Sequence, residues 1–192
     1  MRILAIAAIC ALTAACNATT STPPTPTAQV APAPVAAATP QAATRDTATG
    51  WNDSYLDDRS SAQAILNSYY NAINRKEYAR AWTYWGENSE VEPYETFKKG
   101  FGNTKNVDLR TGETINEGAA GSTYSTVRTG LSVTNEDGTK EFFEGCYTTH
   151  LSQPVIQDTV PFKPLSIREA KMTKVADEAA VIAAMSKPCG TN

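Results

Sequence analysis

From Asn17 to Gly50 the chain carries no aromatic residue, and Arg45 and Asp46 are its only charges. Thr, Ala, Pro, Ser, Gln and Val dominate, punctuated by Pro23, Pro24, Pro26, Pro32, Pro34 and Pro40. Such a segment cannot bury enough apolar surface to offset the entropy of ordering it. Any fold must be built from residues 51–192, about 140 residues, the size of one domain. The prolines favour extended conformers, giving a reach of about 3.1 Å per residue and on the order of 100 Å in all. The segment reads as a tether.

Upstream, Met1–Arg2 precede an apolar run from Ile3 to Ala11, followed by Leu12-Thr13-Ala14-Ala15-Cys16. A positive start, an apolar stretch and small residues before a cleavage point make a secretory signal over residues 1–15. Taken on to Ala15 the stretch is about 13 residues and falls short of the roughly 20 needed to span a bilayer. Small residues ending at Cys16 resemble a bacterial lipobox. There the cysteine receives a diacylglycerol thioether and palmitate-type acyl chains, and becomes the first residue of the mature protein. A lipobox usually has Leu three places before the cysteine; here that place holds Thr13, with Leu12 one further back, and ordinary signal peptidase would also accept Thr13 and Ala15. The expectation is lipidation at Cys16 and a cell-envelope address on the periplasmic or extracytoplasmic side. The membrane is then a partner through the lipid, with the tether over 16–50 leading to a single globular domain over 51–192. Asn17 resembles outer-membrane sorting if the cell is Gram-negative.

Loss of Arg2 with the leader leaves 16 basic against 20 acidic side chains, a net charge of −4. Without a basic run or aromatic–basic interleaving, nucleic acid is excluded as a partner. Cys10 leaves with the leader, so Cys146 and Cys189 remain beside Cys16. In an oxidising compartment such a pair reads as a disulfide. It closes a loop of roughly 44 residues, worth about 4 kcal/mol by chain entropy. A metal pair or redox dithiol is disfavoured, because there is no Cys-x-x-Cys and the chain has one histidine.

Ser60-x-x-Gln63 reads as a capping box, followed by Ala62, Ile65, Leu66, Tyr69 and Ile73 on one helical stripe. Beyond a break at Asn74-Arg75, the residues Tyr78, Ala81, Trp82 and Trp85 predict a second helix ended by Gly86. Pro93 opens a third, with Tyr94, Phe97 and Phe101 on one face. The period then becomes two. Strands are predicted over Val107–Ile115, Thr123–Asn135, Lys140–Ser152 and Leu165–Val175, with a hairpin at Asp137-Gly138 and a short helix over Ala176–Met185. Alternation puts Phe143, Tyr147 and Leu151 on one face of the third strand, and Glu144, Cys146, Thr148 and His150 on the other. Helices followed by an antiparallel meander predict an α+β fold, helices on one face of a curved sheet.

The run Tyr69-Tyr70-Asn71-Ala72-Ile73-Asn74-Arg75-Lys76-Glu77-Tyr78-Ala79-Arg80-Ala81-Trp82 resembles the start of a nuclear transport factor 2-like domain. In that superfamily a first helix ends in an aromatic–Ala–hydrophobic pattern and a second carries a Tyr…Ala-Trp face. The resemblance covers Ser60 to Val175. It implies a cone with a mouth between helices and concave sheet, and a superfamily whose members include polyketide cyclases, steroid isomerases, dehydratases and purely binding domains. Fold does not choose among them.

Within that cone Tyr69, Trp82, Trp85, Tyr94, Phe101 and Tyr147 are the candidate pocket residues, with plain core packing as the competing reading. No catalytic residue, cofactor or metal is implied. His150 lies on the strand face away from the helices, exposed or beneath the C-terminal tail, and lacks a facing carboxylate. Asp108 sits near the helix-to-sheet turn, where surface acids are common. Glu77, Glu87, Glu90, Glu92 and Glu95 lack the alternate spacing of a calcium loop. The reading favoured by the sequence is an anchored domain binding a small ligand or an envelope protein, with the outer sheet face available to a homodimer or complex. The alternatives are an acid–base enzyme of the isomerase or cyclase type, and an accessory subunit of an envelope assembly.

Overall fold

The computed structural model describes residues 54–190. The leader, Cys16 and the tether lie outside the described residues. Helix α1 spans Ala62–Asn74, α2 Tyr78–Thr83 and α3 Tyr94–Gly100; strands β1 Thr104–Ala119, β2 Ser122–Asn135, β3 Lys140–Ser152 and β4 Ser166–Val175 follow, and α4 spans Glu178–Met185. The four strands form one antiparallel sheet in the order β1-β2-β3-β4. This is the α+β layout expected of the sequence, with the first three helices laid on a curved sheet.

The start of α1 lies one residue later than the predicted box. Ser61 is the cap and accepts from the Ala64 amide at 3.1 Å, a side-chain oxygen taking one of the orphan donors of a first turn. Gln63 instead reaches across to the Thr114 hydroxyl. Along α1 the expected stripe of Ala62, Ile65, Leu66, Tyr69 and Ile73 is buried against the sheet. Ser68, Tyr70, Asn71 and Ala72 are buried too, because residues 54–60 fold back over the helix. Asp58 donates its amide to the Ser68 hydroxyl at 2.7 Å, and Leu56 its amide to the Asn71 side chain at 3.1 Å.

The second helix ends at Thr83, three residues short of the predicted Gly86. The backbone of Tyr84–Gly86 turns away to pair with β4: the Ile167 amide donates to Tyr84 carbonyl at 2.8 Å and the Gly86 amide to Ile167 carbonyl at 2.9 Å. Trp85 therefore belongs to a bridge and not to a helical face. Tertiary pairing overrides the local period there.

Strand β1 is longer than predicted at both ends, with register shifts between Thr104 and Asn106 and between Thr111 and Thr114. Those bulges interrupt the alternation and bend the sheet. Asn74 secures α1 to it, accepting from the Val107 amide at 2.7 Å and donating to the Val107 carbonyl at 3.0 Å. The Asp137-Gly138 turn forms as read: Gly138 has φ 84°, and Asp137 accepts from the Thr139 amide at 2.9 Å.

The expected three helices lie on one face of the sheet, and the short C-terminal helix α4 packs on the opposite one. Asp177 caps it, accepting from Ala180 at 2.8 Å. Val181 and Met185 then sit over Gly130, where a β-carbon would collide with Val181, and Met185 packs closely over Gly112. Arg128, 8% exposed, donates to the Ala184 carbonyl at 2.9 Å and pairs with Glu144. Beyond α4, Cys189 is joined to Cys146, with Cα atoms 6.0 Å apart. The predicted disulfide is present, and it holds the tail on the outer face.

Candidate functional site

The interior between α1 and the sheet is aromatic. Tyr69 and Tyr70 from α1, Trp85 from the bridge, Phe97 from α3 and Tyr147 from β3 meet with ring centroids 4.8–6.4 Å apart, mostly edge-on or tilted, as ring quadrupoles prefer. Tyr70 and Tyr147 place their hydroxyls 2.6 Å apart, so the two buried oxygens satisfy each other. Burial pushes the Tyr147 phenol up to about 12, and raises Tyr69 and Tyr70 well above the ordinary value; each stays neutral across physiological pH. The Trp85 indole N–H is buried without a hydrogen-bond partner among the described residues.

The candidate pocket residues thus have different fates. Tyr69 and Tyr147 are 2% and 4% exposed and belong to the packed interior. Trp85, half-buried, borders both the interior and a lateral cleft. Phe101 stacks on Tyr78 and meets Phe97 edge-on at the rim. Trp82 is 38% exposed, donates to the Glu92 carbonyl at 3.2 Å and touches Tyr94 edge-on, away from the others. The structure does not bring the six together.

Two open clefts lie to the sides of that interior. One, about 330 Å³, runs along the outer sheet face beside the Cys146–Cys189 bond, with Tyr124, Thr148, Glu169 and Lys171 in its wall. The other, about 340 Å³, lies between the ends of β3 and β4, the Trp85–Asn88 turn and the loop over residues 153–164. His150 lies in the second and not beneath the tail. It stacks on Tyr124 at 4.8 Å and contacts the Ser122 hydroxyl at 3.0 Å. Burial, with the Arg168 charge nearby, lowers its pKa and favours the neutral ring. Arg59 and Lys163 join Arg168 there. These cleft residues were not singled out from the sequence. The signal available was Phe162, a large apolar residue in a proline-bounded loop, which lines the cleft and is exposed.

The acids behave as rim residues. Asp108 alternates with the inward Val107 and Leu109 and accepts from Asn106 at 3.3 Å. Glu77 is held by Arg75 and Arg80, and Glu87 by Lys163. Glu90, Glu92 and Glu95 are exposed. Among the described residues no group of His, Cys, Asp or Glu could hold a metal, and no helix is long and apolar enough to cross a membrane.

No protein-family model matches the sequence, and no curated protein matches it. Solved structures share its layout at low identity. A Novosphingobium aromaticivorans protein assigned as an aromatic ring hydroxylase has 15% identity and a TM-score of 0.47, covering 62% of this chain and 90% of that one. A protein of the same organism assigned as the beta subunit of an aromatic-ring-hydroxylating dioxygenase has 8% identity and a TM-score of 0.43, covering 66% and 95%. Aln2 from a Streptomyces species has 10% identity and a TM-score of 0.38, covering 67% and 98%. With TM-scores below 0.5 these likenesses set no function for this chain. The class the structure itself defines is an α+β domain of three helices on a curved four-stranded sheet, the layout implied by the nuclear transport factor 2-like resemblance.

Proposed function

We propose that the chain is an exported lipoprotein, anchored at Cys16 and carried on its 16–50 tether, whose domain binds a ligand or partner in the cell envelope. The observation that carries the binding reading is the occupied interior. An acid–base enzyme on such a fold needs a carboxylate, a histidine or a tyrosine free to move a proton within the cone. Here that space holds Tyr69, Tyr70, Tyr147 and Trp85, and among the described residues no Asp, Glu or His is buried. Tyr70 and Tyr147 spend their hydroxyls on each other. Export is supported by the lipobox-like leader and by the Cys146–Cys189 bond, a linkage typical of oxidising compartments.

The deciding experiment is intact mass spectrometry of the protein extracted from membranes of its own cells, with and without reductant. The expected mass begins at Cys16 with added acyl chains, and alkylation after reduction adds two labels. A mass without acyl chains removes the anchor. For the domain, saturable binding of an envelope component by the extracted protein, without turnover, supports the binding reading; chemical conversion of that component overturns it.

A further inference from the structure

The cleft beside the 153–164 loop combines features that the fold alone does not require. Arg168, at the register shift of β4 against β3, is exposed and makes no ion pair among the described residues. Arg59 sits nearby, its guanidinium donating to the carbonyls of Leu165 and Thr83, both at 3.3 Å, while stacking over the Tyr84 ring. Lys163 is the third cation, neutralised by Glu87 at 2.6 Å. With the more distant Asp57 only 3.9 Å from Arg59, the cleft retains a positive balance centred on Arg168.

Its apolar wall is as unusual. Phe162 lines the cleft yet is 55% exposed, a large ring left in water where a core position would have covered it. The loop does not collapse over it because Gln157 braces the loop from within. That side chain donates to the Ser152 and Lys163 carbonyls at 2.8 and 3.0 Å and accepts from the Lys163 amide at 2.8 Å. Trp85 supplies the second aromatic surface, and its place is fixed by the Ile167 bridge. A preformed concavity of a few hundred cubic ångströms, apolar with a few placed polar groups, is the usual form of a small-molecule site.

We infer that this cleft binds a small organic anion with a flat apolar body, its carboxylate or phosphate on Arg168 and Arg59, and its body against Trp85 and Phe162. A bidentate acid group suits a guanidinium fork, and a ring covers the surface that Phe162 leaves exposed. The inference deepens the binding-module reading and rests on it: it names one site and one ligand chemistry for that domain. The loop's other apolar residues, Val155 and Val160, point to solvent at 90% and 96% exposure and play no part.

The test is a titration of the protein as the cell exports it, 15N-labelled, with benzoate and with phenyl phosphate, followed by two-dimensional NMR. Benzyl alcohol and inorganic phosphate serve as controls for body and charge alone. Expected is saturable, millimolar-range movement of the Trp85 indole and the Gly86, His150 and Arg168 amides with at least one aromatic anion. Whichever binds more tightly says whether the acid group is a carboxylate or a phosphate. Both controls should be weaker by about tenfold or more. Arg168→Gln and Phe162→Ala should each weaken binding several-fold without altering the rest of the spectrum. Equal binding by Arg168→Gln, or movement confined to the outer-face groove, overturns the site while leaving a binding module intact. Failure of both aromatic anions to saturate overturns the ligand class. Neither result bears on the acyl mass at Cys16, so the two readings fail separately.

Discussion

Removal of a single oxygen from the interior should reveal how the aromatic cluster is held. Tyr70 and Tyr147 are 2% and 4% exposed, and their hydroxyls, 2.6 Å apart, are each other's partner. Tyr147→Phe leaves the ring in place but strands the Tyr70 hydroxyl in dry surroundings. An unsatisfied buried hydroxyl costs about 1–3 kcal/mol, whereas replacing both partners with apolar groups of like shape is nearly neutral. Each single Phe variant should therefore lose about 2 kcal/mol, and the double variant should return to within about 1 kcal/mol of the parent. In a domain of this size the single losses lower Tm by roughly 6 °C. Urea unfolding followed by circular dichroism at neutral pH, disulfide intact, gives all four corners of the cycle. Alkali gives a second reading. Both phenols are raised above the unfolded value near 10, Tyr147 to about 12, so the fold favours the protonated form. That stability is full below pH 10 and is lost as the pH climbs toward 12, and the double Phe variant should lose less of it. Additive losses across the cycle would refute the reasoning, because each hydroxyl would then have a partner other than its neighbour.

Cys146→Ala with Cys189→Ala opens a link between residues 43 apart in sequence; the chain-entropy account gives a loss of about 4 kcal/mol. Calorimetry should show Tm lower by roughly 10–15 °C, and a fall of only a degree or two would mean the tail is ordered without the bond. Gly145→Ala should prevent native pairing of β3 with β4, because the new methyl would fall on the Lys171 carbonyl oxygen; a native-like spectrum and melting profile would contradict this. Arg80→Met should release residues 54–60, since Arg80 donates to the Leu56 carbonyl at 2.6 Å and to Asn71 at 2.9 Å; limited trypsin digestion should then cut after Arg59 several times faster. Arg168→Gln should raise the His150 pKa toward the ordinary histidine value, as one of the two causes holding it down is removed. NMR titration of the ring protons reads that directly, and an unchanged midpoint would leave burial as the whole cause.

The elements legible in the sequence are those whose apolar period is carried by local spacing. The α1 stripe and the alternation of β2 and β3 place the large apolar side chains on the face that meets the other layer, so the pattern alone places these elements, although α1 and the middle of β2 are covered on further sides as well. The end of α2 was not legible, because Tyr78, Ala81, Trp82 and Trp85 keep helical spacing through a segment whose backbone is claimed by Ile167. Only the fold brings β4 to that point. The position of α4 was hidden for a related reason. Gly112 and Gly130 are the features that admit it to the outer face, yet an isolated glycine in a strand also reads as a bulge. The disulfide was legible by elimination, since location and cysteine count left one pair. The cleft was not, because its cations come from two segments far apart in sequence, Arg59 on one and Lys163 and Arg168 on the other.

Trp85 links these observations. It was placed on a helical face with Trp82, and the bridge to β4 separates the two by turning Trp85 inward and leaving Trp82 at the surface. Once turned, its ring closes the aromatic interior against Tyr69 and Tyr147 while its other side borders the lateral cleft. The same departure from helical geometry fills the interior between α1 and the sheet, and builds a wall of a concavity outside it. Filling the cone and opening the flank are thus one structural event. An acid introduced at Tyr147 would be smaller than the phenol it replaces and would set a carboxyl among the rings of Tyr69, Tyr70 and Trp85, where burial favours its neutral form.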